Sequence, residues 1–380
     1  MAKVIVGSYM VRYPLGGMAS WVLQYLLGFR GLGHEVWFVE KADYPLACFD
    51  PRTREMTDDP SAGTSFAAEL LGRWDLADRW CFVDYHGRYH GAGRERIEAE
   101  FDGADVFVDM GTSGSWLPEA ERTACRVLVD GEPGFTQMKM ELRRRAGLPV
   151  PEYDLYFSTG QNVGTPACSA PDGGVEWRHV FHPVVTELFA NDAAPGDRMT
   201  TVMNWQSYAP LEYDGSVYGH KDVEFERFAG LPSRTDVPLE LAVAGKRTPR
   251  DELRRRGWHL TDGHAVTSTF DSFRDYVVSS LGEFGVCKNG FVATRSGWFS
   301  DRTAAYLAAG RPAVVQDTGF GAHLPCGEGL FAVTTVDEAA AAIEDVARAP
   351  VAHGKAAAEI ARDHLEATKV LRELLDHAGL

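Results

Sequence analysis

The sequence has few cysteines and no long apolar run. Its six cysteines lie far apart and none forms a C-x-x-C pair, which argues against structural zinc and a disulfide framework and favours reduced thiols. No apolar run approaches the roughly 20 residues that a membrane-spanning helix needs. The first residues, MAKVIVGSYM, enter a predicted strand directly and lack the pattern of a signal peptide. We therefore expect a cytoplasmic protein without a membrane span.

Positive charge is also scarce, and two ligand motifs are missing. The chain has 38 basic and 54 acidic residues, a net charge of −16 at pH 7. Nucleic-acid binding needs a basic surface, so we expect no nucleic acid as partner, although a local basic pocket remains allowed. No G-x-G-x-x-G follows the first predicted strand, which disfavours a nicotinamide oxidoreductase. No D-x-D stands where it would hold a metal-bound diphosphate, so we predict no metal.

The length and the order of predicted elements indicate two α/β domains. A chain of 380 residues exceeds the size at which one core usually keeps growing. Strands alternate with helices at a spacing typical of parallel, doubly wound sheets. We predict one domain over residues 1–189, a second over 199–354 and a C-terminal helix over 355–380; the family resemblance of residues 305–319 implies that the first binds an acceptor and the second a donor. Residues 41–64 and 206–219 are predicted loops.

Ligands of such sheets bind outside the carboxyl ends of the strands, and this rule selects loop residues. The predicted acceptor contacts are Gly16, Gly17, His86, Thr112 and Phe135. The candidates for a catalytic base are two carboxylates of one strand-end loop, Asp130 and Glu132, ranked slightly above Asp109 in the next. The alternatives stay open, because a glycine pair can be a plain turn and a loop carboxylate is more often a turn or N-cap residue.

The stretch Val286–Gly321 is predicted to form a strand, a polar loop, a helix and a second strand. The helix begins near Ser300 and Asp301 and ends at Gly310. A loop that leads into a helix N-terminus attracts phosphate through free N–H groups and the helix dipole. The predicted donor contacts are Lys246, Arg247, Lys288, Arg295, Ser296, Gly297, Trp298, Phe299, Ser300, Asp301 and Arg302. The alternative is an ordinary capped helix with solvated cations nearby.

The run Ala305–Val315, AYLAAGRPAVV, is followed by Asp317-Thr318-Gly319 and resembles the donor-binding segment of GT-B glycosyltransferases. Gly33-His34-Glu35-Val36 matches the G-H-x-V that commonly follows the first helix of that fold. The resemblance implies two Rossmann-like domains facing across a cleft, with a terminal helix that crosses back to the first domain. Retaining members of the large family 4 class carry two glutamates eight positions apart, where this chain has Gly297 and Ala305.

The resemblance implies a metal-independent hexosyltransferase with a nucleotide diphosphate sugar as co-substrate and no other cofactor. Its acceptor would be a small molecule, such as an intermediate of natural-product biosynthesis. The alternatives are a nucleotide-sugar epimerase of the same fold and a catalytically silent homologue that acts as a binding partner. A homodimer is compatible with the sequence. We also expect Arg295→Ala to lose donor binding.

Overall fold

The computed structural model describes residues 1–380 and contains eighteen strands. In chain order they are β1 (Lys3–Gly7), β2 (Glu35–Lys41), β3 (Cys48–Asp50), β4 (Glu55–Thr57), β5 (Trp80–Val83), β6 (Tyr89–Gly91), β7 (Val106–Asp109), β8 (Cys125–Asp130), β9 (Leu155–Ser158), β10 (Trp177–His179), β11 (Met199–Asn204), β12 (Leu211–Tyr213), β13 (Ser216–Tyr218), β14 (Leu239–Ala244), β15 (His259–Asp262), β16 (Gly282–Gly285), β17 (Ala313–Gln316) and β18 (Leu330–Val333).

Fourteen α-helices connect and cover these strands. In chain order they are α1 (Gly16–Gly31), α2 (Ser61–Gly72), α3 (Arg94–Asp102), α4 (Leu117–Ala120), α5 (Phe135–Arg145), α6 (Lys221–Phe225), α7 (Arg250–Arg255), α8 (Gly263–Val266), α9 (Phe270–Val278), α10 (Asn289–Ala293), α11 (Asp301–Ala308), α12 (Val336–Arg348), α13 (Pro350–Ile360) and α14 (Ala367–His377).

The strands form two large sheets, and the predicted doubly wound α/β architecture is confirmed. The first sheet has the order β10-β9-β8-β7-β1-β2-β5-β6 and is parallel except for its edge strand β6. The second has the order β15-β14-β11-β16-β17-β18 and is parallel throughout. We call residues 3–179 the first half and residues 199–333 the second half. The predicted domain boundaries themselves stay a prediction.

Buried apolar strands explain why both sheets are covered by helices on each face. In β1, Val4, Ile5 and Val6 are all almost inaccessible to solvent, and β7 is buried along its whole length. A strand that is apolar at successive positions can only be stable where both faces of its sheet are packed. The crossover helices that parallel strands require provide this packing.

The strand order fixes where each half can hold a ligand. In the first sheet β1 lies between β2 and β7, so the chain leaves β1 and β7 in opposite directions across the sheet. In the second sheet β11 has the same position between β14 and β16. A crevice opens at the carboxyl ends of the strands where the order reverses. The two crevices face each other.

Three segments differ from the sequence-based prediction. Residues 41–64 contain the antiparallel pair β3–β4 and the start of α2, and residues 206–219 contain the pair β12–β13. Both are short hairpins with a left-handed residue at the turn, Arg54 and Asp214. The C-terminal helix is two helices, because a π-helical turn and the extended residue Glu366 separate α13 from α14.

The chain crosses between the halves twice, and the two crossings are paired. The N–H of Val184 donates to the carbonyl of Leu365 at 2.8 Å, and the N–H of Ala367 donates to the carbonyl of Val184 at 2.9 Å. Beyond this point α14 packs on α1 of the first half, where a Cβ at Gly28 would lie 2.6 Å from Leu371. Glycine at this position therefore permits the close approach of the two helices.

Candidate active site

A cavity of about 820 Å³ lies between the carboxyl edges of the two sheets. The first half contributes the segments that follow β1, β7 and β8, and the second half those that follow β11, β14 and β16. The lining is mainly apolar on the first-half side, which also contributes Lys139 and Arg143, and the second half contributes Lys221, Lys288 and Arg302. A volume of this size is within the usual range for small-molecule sites.

Lys221 is the second-half cation of this cavity that has no partner within the protein. It is the first residue of α6, its side chain lines the cavity, and it forms neither an ion pair nor a hydrogen bond. Burial lowers the pKa of Lys221 to about 7, and the positive charge of Arg302 adds to this shift. An anionic ligand would remove the cost of charging this ammonium group.

Arg302 lies beside Lys221, and hydrogen bonds hold its side chain in place. Its Nε donates to the buried carboxylate of Glu283 at 2.5 Å, and its Nη1 donates to the carbonyl of Val202 at 3.0 Å. Burial opposes the charge on this side chain, but Glu283 outweighs burial and the pKa of Arg302 is raised. The guanidinium therefore stays charged and presents its remaining donors to the cavity.

Glu132 and Lys288 connect the two halves across the cleft. The Lys288 Nζ lies 2.5 and 2.6 Å from the carboxylate oxygens of Glu132. Tyr208, from the segment between β11 and β12, donates its hydroxyl to the same carboxylate at 2.6 Å. Its ring also lies 4.9 Å from the ammonium groups of Lys139 and Lys288. In this arrangement the charge of Lys288 is neutralised by Glu132.

The N-terminus of α11 opens into the cavity, as the sequence predicts. Ser300, Asp301 and Arg302 line it, and the N–H groups of Ser300 and Asp301 donate to no protein acceptor. The Ser300 hydroxyl caps the helix by accepting from the N–H of Arg302 at 3.2 Å. Free N–H groups at the positive end of a helix are suited to an anion.

The loop before this helix has a different role from the predicted one. The carbonyls of Ser296 and Gly297 accept hydrogen bonds from the backbone of Asn162 and Gln161, at 3.0 and 3.2 Å, and the N–H of Gly297 donates to Thr318 at 2.8 Å. These groups hold the two halves together and leave no N–H of Gly297 for a phosphate. Ser296 and Phe299 are buried outside the cavity lining, and Trp298 lines it.

Three predicted donor cations lie outside the cavity. Arg295 is exposed, has a left-handed backbone with φ of 50°, and its side chain contacts no acidic group. Lys246 and Arg247 are exposed in the turn that follows β14, although Ala244 at the end of that strand lines the cavity. These side chains extend into solvent, as the alternative interpretation held.

Asp130 lines the cavity, but its carboxylate is fully used by the protein. It accepts four hydrogen bonds, from the N–H of Glu132 at 2.9 Å, Thr136 Oγ1 at 2.6 Å, Gln137 Nε2 at 2.9 Å and Ser158 Oγ at 2.9 Å. Burial raises the pKa of Asp130 despite these bonds. The side chain organises the loop that leads into α5, and its lone pairs are not free to accept a substrate proton.

Asp109 is also a structural carboxylate, and it lies outside the cavity lining. It accepts bonds from the backbone N–H groups of Gly111, Thr112 and Gly114 at 2.7–3.0 Å. The hydroxyls of Thr112 and Tyr153 donate to it at 2.7 and 2.6 Å. The predicted acceptor residue Thr112 is thus buried in the same turn.

Of the other predicted acceptor residues, only Gly17 lines the cavity. Gly16 packs against the second half: its N–H donates to the carbonyl of Thr267 at 2.6 Å, and a Cβ would collide with the carbonyl of Thr269. Phe135 is buried and stacks on His220 with ring centroids 6.0 Å apart. His86 lies in the β5–β6 turn at the far edge of the first sheet, because β6 turns back antiparallel there.

His182 is a second functional candidate, and it is not among the site residues predicted from the sequence. It lines the cavity, is 4% exposed, and its Nδ1 has no hydrogen-bond partner. Burial lowers its pKa, and the negative charges of Asp301 and Glu132 oppose the shift. A neutral imidazole that faces a cavity can accept a proton.

The sequence contains only weak signals for Lys221 and His182, which are not among the predicted site residues. Lys221 stands at the start of a helix after a strand-end loop, which is the position that the carboxyl-edge rule selects. His182 precedes a proline where the chain leaves the first half. Neither signal separates a cavity residue from a solvated or packed one.

The two positions that hold glutamates in family 4 enzymes cannot hold carboxylates in the cavity here. Gly297 is covered by Asn162, and Ala305 is buried within α11. Of the polar residues between these two positions, Asp301 lines the cavity, whereas Thr303 is fully buried outside it.

The chain matches no protein-family model and has no significant match among curated proteins. Solved structures nevertheless share its fold over the whole chain. The Anabaena Alr3699/HepE protein in complex with UDP and glucose has a TM-score of 0.59 at 10% identity, covering 100% of both chains. AviGT4, a glycosyltransferase involved in avilamycin A biosynthesis, has a TM-score of 0.54 at 13% identity, covering 100% of this chain and 97% of its own. The predicted GT-B fold is confirmed.

A third similar structure corrects the prediction about partners. An alpha-glucosyltransferase in complex with UDP and a 13-mer DNA has a TM-score of 0.55 at 10% identity, covering 100% of this chain and 99% of its own. The exclusion of nucleic acid from the net charge is therefore wrong. Net charge averages over the whole surface, whereas α5 ends in the local basic run Arg143-Arg144-Arg145.

Two further properties of the structure bear on the site. No group of three or more His, Cys, Asp or Glu side chains is arranged to hold a metal ion. None of the helices combines the length and the apolar character that crossing a bilayer requires.

Proposed function

We propose that this GT-B chain is a glycosyltransferase that moves a sugar from a nucleoside diphosphate donor to an acceptor hydroxyl. One observation carries the proposal: a single cavity joins the unpaired ammonium of Lys221 and the open N-terminus of α11 to an apolar wall from the first half. UDP bound to HepE and to the alpha-glucosyltransferase supports the donor class.

The diphosphate would lie against the second half. Lys221 and Arg302 neutralise it, and the N–H groups of Ser300 and Asp301 donate to its oxygens. Fixed donors and cations that face the leaving group stabilise the charge that develops on it as the glycosidic bond breaks. This set of side chains supplies the positive charge without a metal, and we propose metal-independent transfer.

The reaction is a substitution at the anomeric carbon. The bond from this carbon to the diphosphate oxygen breaks, the bond to the acceptor oxygen forms, and the nucleoside diphosphate leaves with the bonding electrons. The acceptor proton passes to the imidazole of His182, which its surroundings keep neutral. Because Asp130 is saturated by protein donors and Glu132 holds Lys288, His182 replaces them as the proposed base.

The acceptor is proposed to be a small molecule, because about 820 Å³ must also hold the transferred sugar. A sugar-nucleotide-binding protein without turnover is the second candidate. The observation that favours it is the absence of carboxylates at Gly297 and Ala305.

The test is a screen of UDP-, TDP- and GDP-sugars that reads thermal stabilisation and released nucleoside diphosphate. We expect stabilisation by one nucleotide, slow hydrolysis of its sugar donor, and loss of both in Lys221→Ala. Lys246→Ala is the matched control, because it removes a lysine outside the cavity, and it should behave as wild type. His182→Gln should keep nucleotide binding and lower the hydrolysis rate about 100-fold or more.

Failure of every nucleotide to stabilise the protein would reject the proposal. Binding without release, together with no product from any acceptor tried, would favour the binding protein. Conversion of the bound sugar to an epimer without an acceptor would identify the epimerase of the same fold.

A further inference from the structure

One face of α5 forms the outer wall of the cavity. Lys139 and Met140 lie three and four residues after Thr136 and four and three residues before Arg143, and all four residues line the cavity. The face therefore presents a repeating combination of apolar surface and positive charge. Nothing in the proposed transfer at the anomeric carbon uses these two cations.

Both cations on this face lack a carboxylate partner. Arg143 donates its Nε to the carbonyl of Pro149 at 2.7 Å, which fixes the guanidinium at the cavity mouth and leaves its terminal nitrogens free. Lys139 contacts only the ring of Tyr208. By contrast, Arg145 on another face of the same helix forms ion pairs with Glu141 and Asp214, at 2.9 and 2.6 Å.

The lack of a carboxylate partner at Lys139 and Arg143 is informative, because the chain has sixteen more acidic than basic charges. Acidic side chains are abundant enough to satisfy surface cations, and most arginines of the chain do form such pairs. Two free cations on one cavity wall create a local positive potential, which raises the concentration of anionic ligands there. A dianion held by both would gain charge-assisted hydrogen bonds.

The wall that faces these cations is apolar. Met110, Leu128, Val150, Pro151 and Tyr153 line the cavity together with this face of α5. A small polar anion would leave this surface uncovered, whereas a molecule with an apolar body would bury it. The cations and the apolar surface together therefore fit a ligand that has both an anionic group and an apolar body.

Building on the proposed transfer, we propose that the acceptor is an amphipathic small molecule with an anionic group. Its apolar body lies along Met140 and Val150, and its carboxylate, sulfate or phosphate contacts Lys139 and Arg143. This orientation points the other end of the molecule toward His182, where the acceptor hydroxyl loses its proton.

Nucleic acid is the main competitor for the same cations. A phosphate backbone would use Lys139 and Arg143, but its sequence-independent contacts do not require an apolar wall. The amphipathic acid is favoured because Met140 lies beside the two cations on this face and belongs to the same cavity lining.

The test uses two fluorescent probes of nearly the same shape. Anilinonaphthalene sulfonate carries one negative charge, and N-phenylnaphthylamine is its uncharged parent. Titrations are made with the full chain, with the double variant Lys139→Gln/Arg143→Gln, and with Arg372→Gln as control. Arg372 is an exposed arginine of α14 without a partner, so this control changes charge without touching the cavity.

We expect the double variant to bind the sulfonate about tenfold more weakly or worse, because two charge-assisted contacts are lost. The uncharged parent should bind the double variant and the wild type equally, and Arg372→Gln should match the wild type with both probes. A thermal shift with UDP in each variant is read in parallel, and it should not change.

Unchanged sulfonate affinity in the double variant would overturn the inference, as would an equal loss in Arg372→Gln. Displacement of the sulfonate by inorganic phosphate alone would show a simple anion site. Displacement by a 13-mer DNA duplex, lost in the double variant, would assign the face to nucleic acid. Loss of the UDP shift in all proteins, with the sulfonate result intact, would reject the proposed transfer and keep the anionic subsite.

Discussion

Binding of UDP should weaken as the pH rises above about 7, because the free protein then loses the charge of Lys221. Burial and Arg302 lower the pKa of this lysine from 10.5 to about 7. A bound diphosphate favours the charged ammonium and raises the pKa again. Binding therefore takes up a proton, and by linkage the affinity falls wherever the complex holds more protons than the free protein.

The magnitude follows from the shifted pKa. About half a proton should be taken up at pH 7 and about 0.9 at pH 8, and the dissociation constant should rise about tenfold per pH unit above 7. The terminal phosphate of the nucleotide has a pKa near 6, so it is almost fully ionised above pH 7 and adds little to this slope. At about pH 6 and below, the lysine is charged in both states and its contribution is constant.

Isothermal titration calorimetry with UDP from pH 6 to 9 measures the effect. Repeating each titration in two buffers with different ionisation enthalpies gives the number of protons taken up. Lys221→Arg should flatten the profile, because a guanidinium stays charged over the whole range. Lys246→Arg, outside the cavity, should keep the wild-type slope.

Tight binding at pH 8 without proton uptake would refute this reasoning. It would mean that Lys221 is already fully charged in the free protein, or that the diphosphate does not reach it. The variant Lys221→Ala separates these two explanations. It should weaken UDP binding if Lys221 is charged and contacts the diphosphate, and leave binding unchanged if the diphosphate does not reach it.

Three further outcomes are expected. Glu132→Gln should tighten UDP binding about tenfold in calorimetry, because it frees the ammonium of Lys288 from a competing carboxylate; weaker binding would show that Glu132 positions this lysine. Gly16→Ala should lower the unfolding free energy by about 1–3 kcal/mol, because its Cβ collides with a backbone carbonyl of the other half. Gly17→Ala should leave the unfolding free energy unchanged, because its Cβ meets no atom. Equal melting temperatures of the two variants in calorimetry would contradict this. Arg295→Ala should leave UDP affinity unchanged, and a loss would return this side chain to the donor site.

The sheets were predictable because their strands carry the signal within a few residues. Continuous apolar runs such as Val4–Val6 and Val106–Val108 specify buried strands wherever they occur. The helix that begins at Asp301 was predictable from its cap residue and from Gly310. The hairpins β3–β4 and β12–β13 were not, because three-residue strands are too short to show an alternating pattern.

The cavity includes the predicted N-terminus of α11 but leaves out several of the predicted donor side chains. The sequence favoured cations close to α11 along the chain, such as Arg295. The fold instead selects Lys221, because β11 and β16 are neighbours in the sheet and the segments after them meet. Strand order depends on packing of the whole half and has no local signal.

For a related reason, the sequence could not show that two of the predicted catalytic carboxylates, Asp109 and Asp130, are occupied by protein hydrogen bonds. Asp109 and Asp130 stand at strand ends, where a base would be expected, and the fold saturates both with donors from residues up to 44 positions away. Hydrogen-bond saturation is a property of the assembled loops. The same holds for His182, whose exposure to a cavity cannot be distinguished in sequence from burial in a core.

The pairing of the two chain crossings at Val184 determines how the protein can open. The segment that leads from the first half to the second and the segment that leads back to it lie side by side. Val184 of the first segment forms backbone hydrogen bonds with Leu365 and Ala367 of the second. Pulling the halves apart or sliding one past the other would break these bonds, whereas turning about the line through them would not. The two crossings themselves therefore permit one rotation, which would change the width of the cleft, and the hydrogen bonds of Ser296 and Gly297 to Asn162 and Gln161 oppose it.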